Sequence, residues 1–222
     1  MALKGIDISN HQGDNGLNLD KVLKHVDFVI CKATESTGYV DPYCDGFMQK
    51  AMKAGKKVGF YHFMREVDAA DQARFFIANT RGYFGKAIPI LDWEVGCTVS
   101  QVNRFVRCVH DETGVWPWIY ANPWRFNQGG VEANCGRWIA SYPNVVSPSI
   151  SYKLPNAPKT DGLVCCWQYC SDGKLDGYPG NLDFDRFFGS ADAWDAYVGE
   201  KRDGNSIIVV ENDDYRVTVE EK

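Results

Sequence analysis

The chain has 222 residues, a formal net charge of -5 at pH 7, and 45% hydrophobic and 14% aromatic residues. That length holds one well-filled domain, and the acidic balance provides no basic footprint for nucleic acid. No run of 18 apolar residues occurs, so nothing in the chain reads as a membrane span.

In chain order, KGIDIS (4–9) is predicted as a strand, LDKVLKHV (19–26) as a helix and VDFVICKA (26–33) as a strand. GFMQKAMKAG (46–55) follows as a helix, KVGFYHF (57–63) as a strand and DAADQARFFIANTRG (68–82) as a helix. AIPILDWEV (87–95) is a fourth strand, and TVSQVNRFVRCVHDE (98–112) a helix with Thr98 and Gln101 at capping-box spacing. Val102, Phe105, Val106 and Val109 form the apolar stripe of that helix. This alternation predicts parallel βα units.

VWPWIYA (115–121), RWIASY (137–142), LVCCWQY (163–169) and NLDFDRF (181–187) bring the candidate strands to eight. The connection at 143–162 is rich in Pro, Ser and Asn and unsuited to a helix, and CSDGKLDGYPG (170–180) is a turn or hairpin. The expected fold is therefore α/β, an irregular (β/α) barrel of eight strands whose last three lack full covering helices. A final helix-like piece, SADAWDAYVGE (190–200), closes a unit spanning 1–200. In the tail, 201–222, SIIVV and YRVTV flank ENDD as a β-hairpin, which is marginal in water by itself. It docks on the barrel, mediates self-association, or begins a further module.

The first strand-like segment begins at Leu3, leaving no room for a secretion signal. Either a signal has been trimmed, or synthesis is cytoplasmic and release takes another route. Cysteines at 31, 44, 97, 108, 135, 165, 166 and 170 lack the density of a small secreted framework, and Cys31 and Cys165 sit in apolar runs where a thiol packs as a small hydrophobe. Cys165, Cys166 and Cys170 lack C-x-x-C spacing, and His11, His25, His62 and His110 show no ligand spacing, so no metal site is expected. His62 is expected as a hydrogen-bonded strand residue.

The run IPILDWEVG (88–96) ends in two acids. Residues two apart on a strand share a face, with Cα atoms roughly 6.5–7 Å apart, so Asp92 and Glu94 lie on the face of Ile88 and Ile90. Leu91 and Trp93 face the other way. Apolar layers below and acids above suit a barrel interior with its site at the C-terminal mouth. The plain alternative is a strand end reaching solvent. Asp7, between Ile6 and Ile8, and Asp183, between Leu182 and Phe184, follow the same inward pattern. Four acids at one rim cannot all stay ionised at close range, so at least one pKa should rise. A proton-donating carboxyl beside ionised carboxylates suits glycoside hydrolysis. Tyr39, Tyr61, Trp116, Trp118, Tyr120, Trp124, Trp138, Tyr142 and Trp167 stand near strand ends, where two or three would stack on sugar rings and the rest would pack.

GIDISNHQG (5–13), VICKATEST (29–37), AGKKVGFYHF (54–63), PILDWE (89–94), WQY (167–169) and GNLDFDRFFG (180–189), in this order, resemble the family 25 glycoside hydrolases, the Chalaropsis-type lysozymes. The similarity runs from residue 4 to about 190. It implies an irregular barrel with about five helices and three uncovered strands. It further implies an N-acetylmuramidase that cleaves the β-1,4 bond from N-acetylmuramic acid to N-acetylglucosamine in bacterial peptidoglycan, with no cofactor.

By position, the family's acid/base glutamate falls on Glu94, its partner aspartate on Asp92, and the supporting aspartates on Asp7 and Asp183. Many members carry Asn where this chain has Asp185. Lys32, Tyr61, Tyr120 and Gln168 match positions expected around the groove, and Tyr39 and Trp167 join them as candidate substrate contacts. SNHQGDNGLNLDKV lacks the Trp that is commoner in this region of the family.

Glu94 would protonate the leaving oxygen, while Asp92 either attacks the sugar carbon or orients the substrate's 2-acetamido group to do so. The competing readings are a chitinase-like N-acetylglucosaminidase, which would carry further acids where this chain has Ile88 and Ile90, and a wall-binding module without catalysis. The bacterial cell wall is the expected place of action, reached at phage-driven lysis or by secretion.

Overall fold

The computed structural model describes residues 2–199, 207–212 and 215–220. The chain begins with β1 (Leu3–Ile8), two short helices α1 (Asn10–Asp14) and α2 (Leu19–Val22), β2 (Phe28–Glu35) and the two-residue β3 (Tyr39–Val40). It continues with α3 (Cys44–Lys53), β4 (Lys57–Phe63), α4 (Ala69–Thr80), β5 (Ile88–Asp92) and α5 (Val99–Thr113). Then come β6 (Trp118–Ala121), α6 (Pro123–Phe126), β7 (Arg137–Ala140), β8 (Val164–Gly173), β9 (Leu182–Phe187) and α7 (Ala191–Val198). Strands β10 (Ile207–Asn212) and β11 (Tyr215–Glu220) pair with each other antiparallel. The expected ENDD turn falls partly at 213–214, and the linker at 200–206; both lie outside the described residues.

The main sheet runs β1-β9-β8-β7-β6-β5-β4-β2-β3, and β1 also pairs with β2. That last pairing closes an eight-stranded barrel and leaves β3 as a hairpin partner of β2 outside the ring. Strand alternation sorts the apolar residues into two layers. Ile88, Ile90, Phe28, Ile30, Trp118 and Trp138 fill the interior. Leu91, Trp93, Ile6, Ile8 and Phe184 join the outer layer.

Helices α3, α4 and α5 cover the first half. α5 starts with the expected capping box, Thr98 and Gln101, and ends at Gly114 in the left-handed region, as a C-terminal glycine allows. Val102, Phe105, Val106 and Val109 are its buried residues. The stretch 143–162 forms no helix, yet Ile150, Tyr152, Leu154 and Ala157 pack against the outer layer. Arg186 pins it by donating to the carbonyls of Ile150 at 3.0 Å and Tyr152 at 3.4 Å. The barrel is thus covered there by irregular chain instead of a helix.

The floor is closed by α7, capped by Ser190 and ended by Gly199 in the left-handed region. Its buried Trp194 stands 4.7 Å from the ring of Phe28, 5.3 Å from Trp118 and 5.2 Å from Phe187, centroid to centroid.

The final barrel strand is antiparallel to both neighbours, in keeping with the turn or hairpin expected before it, because the 174–181 connection is shorter than the dozen or so residues a parallel crossover needs. Two features depart from the sequence reading. The helix expected over 19–26 shortens to α2, with a turn leading into β2. α1, α6 and β3 have no counterpart in the sequence reading; five and four residues are too few to display a helical period, and the two of β3 too few to display an alternation.

Trp194→Ala is expected to destabilise the protein by about 3–5 kcal/mol, the usual range for deleting a buried aromatic side chain. Urea unfolding checks this, and a loss below about 1 kcal/mol would mean that α7 is not part of the barrel core.

Candidate active site

Asp7 is opposite Ile30 of β2 and Asp183 of β9. Because β9 runs antiparallel, its first residues stand at the end of the barrel where β1 finishes. Asp92 ends β5, opposite Phe63 and Tyr120. The next residue, Trp93, is anchored on the outer side: its backbone N–H donates to the Tyr120 carbonyl at 2.9 Å and its indole N–H to the Cys97 carbonyl at 2.8 Å. With Trp93 held outward, alternation turns Asp92 and Glu94 inward. Asp7, Asp92, Glu94 and Asp183 line one cavity of about 300 Å³ together with Lys32, Tyr61, Tyr120 and Gln168.

Gln168 organises one wall. Its Oε1 accepts hydroxyl hydrogens from Tyr120 and Tyr142, each at 2.7 Å, and its Nε2 donates to Asp7 Oδ2 at 2.7 Å. Two hydroxyl donors on the oxygen leave the amide nitrogen to face the carboxyl, which fixes the amide's orientation. Lys32 reaches Glu35 at 2.6 Å, and Arg65 holds the other oxygen of Glu35 at 2.6 Å. The ammonium of Lys32 also lies 5.3 Å from the ring of Tyr39 and 5.2 Å from that of Phe63.

The structure brings eight of the ten sequence-predicted site residues to the cavity wall. Tyr39 stands outside it, exposed on β3 with Lys32 as its contact toward the cavity. Trp167 is a correction. It is buried in the outer layer, with its indole N–H donating to the Ser141 carbonyl at 2.5 Å, because Gln168 beside it takes the inward position. Among the other rings, Trp138 and Tyr142 line the cavity and Trp118 fills the interior below. Trp116 stacks on His110, and Trp124 is exposed on α6.

Ser9, His11 and Gln12 also line the cavity. They belong to the capping box of α1, in which Ser9 and Gln12 bond reciprocally. The S-x-x-Q spacing was present in the sequence and would have located that turn. His62 is a buried strand residue, 2.8 Å from Thr34 Oγ1 and 3.2 Å from Gln72 Oε1, and burial pulls its pKa down to about 4. All eight cysteines are free thiols. Among the described residues, no group of three or more His, Cys, Asp and Glu is placed to hold a metal ion.

Burial governs the acids. Asp92, 5% exposed, is held well above the usual carboxylate range by burial and then by the charges of Glu94 and Asp7. Its Oδ1 is buried without a hydrogen-bond partner. Asp7, 8% exposed, is raised by burial and by Asp185, with Gln168 opposing. Asp183 is pushed up to about 8 by burial, Asp7 and Glu94. Glu94 is the most exposed of the four; burial raises its pKa, and Arg125 and Lys32 pull it back. Deeper in the barrel, fully buried Asp185 accepts from the Trp138 indole at 2.9 Å, and burial raises its pKa. Glu94, open to solvent with a raised pKa and beside the buried carboxyls of Asp7 and Asp92, is placed where a carboxyl can give or take a proton in the cavity.

The model of the glycosyl hydrolases family 25 matches residues 6–178. The chain is 30% identical over 192 residues to an autolytic lysozyme of Clostridium acetobutylicum; the match takes in 83% of this chain and 56% of that relative. The chain thus spans little more than half the length of that protein. Among solved structures, a family GH25 lysozyme from Aspergillus fumigatus is similar with a TM-score of 0.72 at 28% identity, over 89% of this chain and 99% of that one. A bacterial lysozyme from Streptomyces coelicolor is similar with a TM-score of 0.73 at 26% identity, over 88% of this chain and 96% of that one.

The raised acids set a pH dependence of stability. A carboxyl raised from 3.8 to about 8 contributes stability that is complete below 3.8 and lost as pH rises through about 8. Asp183→Asn should therefore melt higher than the parent at pH 9, by roughly 2–4 °C for each 1 kcal/mol recovered, with a smaller gap at pH 5. A gap that does not change with pH in thermal unfolding would contradict the burial assigned to this carboxyl.

Proposed function

Since the chain belongs to the family 25 glycosyl hydrolases, we propose that it is an N-acetylmuramidase cutting the β-1,4 bond from N-acetylmuramic acid to N-acetylglucosamine in bacterial peptidoglycan. The observation that carries this reading is the pair Asp92 and Glu94, facing one cavity from the end of β5 with Asp7 and Asp183 beside them. The relatives' description as lysozymes and the chain's placement among them support the cell wall as its place of action.

Glu94 gives its proton to the leaving glycosidic oxygen, and the C1–O bond breaks. Asp92 has a buried oxygen without a partner, which suits acceptance of the N–H of the substrate's 2-acetamido group. The acetamido carbonyl oxygen then bonds to C1, forming a cyclic oxazolinium ion. In the second step Glu94, now a carboxylate, takes a proton from water as the water oxygen bonds to C1 and the ring opens. Direct attack by Asp92 is the alternative, and it requires the ionised form that its burial disfavours. Asp7 and Asp183 set the field in which these charges develop. Lys32, Tyr61, Tyr120 and Gln168 shape the cavity around the sugar, and Tyr39 marks its outer rim. No cofactor takes part in these steps.

Purified peptidoglycan digested by the protein, reduced with borohydride and analysed by mass spectrometry should carry its new reducing ends on muramic acid. Ends on glucosamine would overturn the reading, and chitin cleaved in preference to peptidoglycan would point to a chitinase-like enzyme. Glu94→Gln should lower the rate by at least roughly a thousandfold while the protein still binds walls, because it removes the proton donor. Retained lysis would take the role from Glu94.

A further inference from the structure

Arg125 lies outside the cavity wall and outside every motif of the sequence reading, yet its side chain reaches the acid. It sits in α6, a single turn opened by Asn122, whose Oδ1 accepts the Arg125 backbone N–H at 3.1 Å. Pro123 stands in the first turn, where its fixed φ suits the helix, and Phe126 is buried. The backbone that carries Arg125 is therefore well fixed.

From that base the guanidinium crosses to the connection after β5. Its Nη2 donates to the Glu94 main-chain carbonyl at 2.7 Å, and Cζ lies 5.1 Å from the centroid of the Trp93 ring. β5 ends at Asp92, so Glu94 lies past the regular strand. One side chain thus grips two successive residues, the outward anchor and the inward acid.

We propose that Arg125 is the positioning residue of the general acid, holding the Glu94 backbone at the mouth of the barrel. The inference rests on the assignment of Glu94 as acid.

Two effects follow from the one contact. Removing the donor frees the Glu94 carbonyl and leaves the 94–96 segment, which includes Gly96, free to drift; a misplacement of about 1 Å costs on the order of a hundredfold in rate. Removing the charge acts on the proton. Glu94 faces two cations, Arg125 from α6 and Lys32 from β2, and three acids, Asp7 from β1, Asp92 from β5 and Asp183 from β9; His11 from α1 stands at the same cavity. Of the two cations Arg125 has the larger pull on Glu94, and Lys32 is tied to Glu35 at 2.6 Å. Without Arg125 the acid keeps its proton to higher pH.

The test compares Arg125→Ala and Arg125→Lys on purified peptidoglycan, measuring kcat, KM and the pH profile of kcat/KM. Arg125→Ala should lower kcat by roughly tenfold or more, with KM within about twofold, and move the alkaline limb to higher pH. Arg125→Lys keeps the charge and should leave that limb near its parental position. If Arg125→Ala lowers the rate but leaves the limb unmoved, the residue only packs, and the proposal fails. It also fails if kcat is unchanged. Should Arg125→Ala not fold, the proposal rests on Arg125→Lys together with Arg125→Gln, which is neutral: a limb common to both would overturn it. An active Glu94→Gln variant would instead remove the assignment of the acid itself, so the two failures are distinct.

Discussion

Acids can stand inside this barrel only at its open end. Below the mouth the interior is filled by Ile88, Ile90, Phe28, Ile30, Trp118 and Trp138, and an ionised carboxyl there has no water to solvate it. The rest of the arrangement follows from that constraint. Strand alternation sends a second acid to the same face as the first, the outward anchoring of Trp93 keeps that alternation going past the last ladder bond, and the antiparallel β9 returns Asp183 to the rim that β1 reaches with Asp7. Asp185 is the exception that marks the limit: two residues deeper, it is fully buried and has the Trp138 indole as partner on one oxygen and none on the other.

The site is built against the stability of the domain. Asp7, Asp92 and Asp183 are raised by burial and by neighbouring carboxyls, and Glu94 by burial against the pull of Arg125 and Lys32; these shifts favour the protonated state and make the folded state less favourable as pH rises. Hydrogen bonds limit the disadvantage. Gln168 supplies a donor to Asp7 and gathers two tyrosine hydroxyls at once. Arg137, nearly fully buried, donates to four main-chain carbonyls, those of Val131, Glu132, Cys135 and Asp161, and so fixes loops that no helix covers.

The barrel and its acids were legible wherever a two-residue period could be counted. Ile88, Ile90, Asp92 and Glu94 lie on the face expected of them, and so do Asp7 and Asp183 between their outward neighbours. The same counting rejects Trp167: once Gln168 is inward, the residue before it must be outward, and its ring packs in the outer layer. The direction of β9 is not written in NLDFDRF, which has the same period either way; it is set by the length of the connection before it. Short turns such as α6 carry no period at all. Arg125 and Glu94 are 31 residues apart, and nothing local in either segment announces the contact.

The central claim is that the cavity holds its carboxyls above their ordinary range. Carbon-detected NMR titration of the aspartate and glutamate carboxyls measures this directly. Asp183 is expected to titrate near 8, Asp7 and Asp92 to stay protonated above the usual carboxylate range, and Glu94 to titrate above its ordinary 4.5. Four carboxyls all titrating near pH 4 would contradict it.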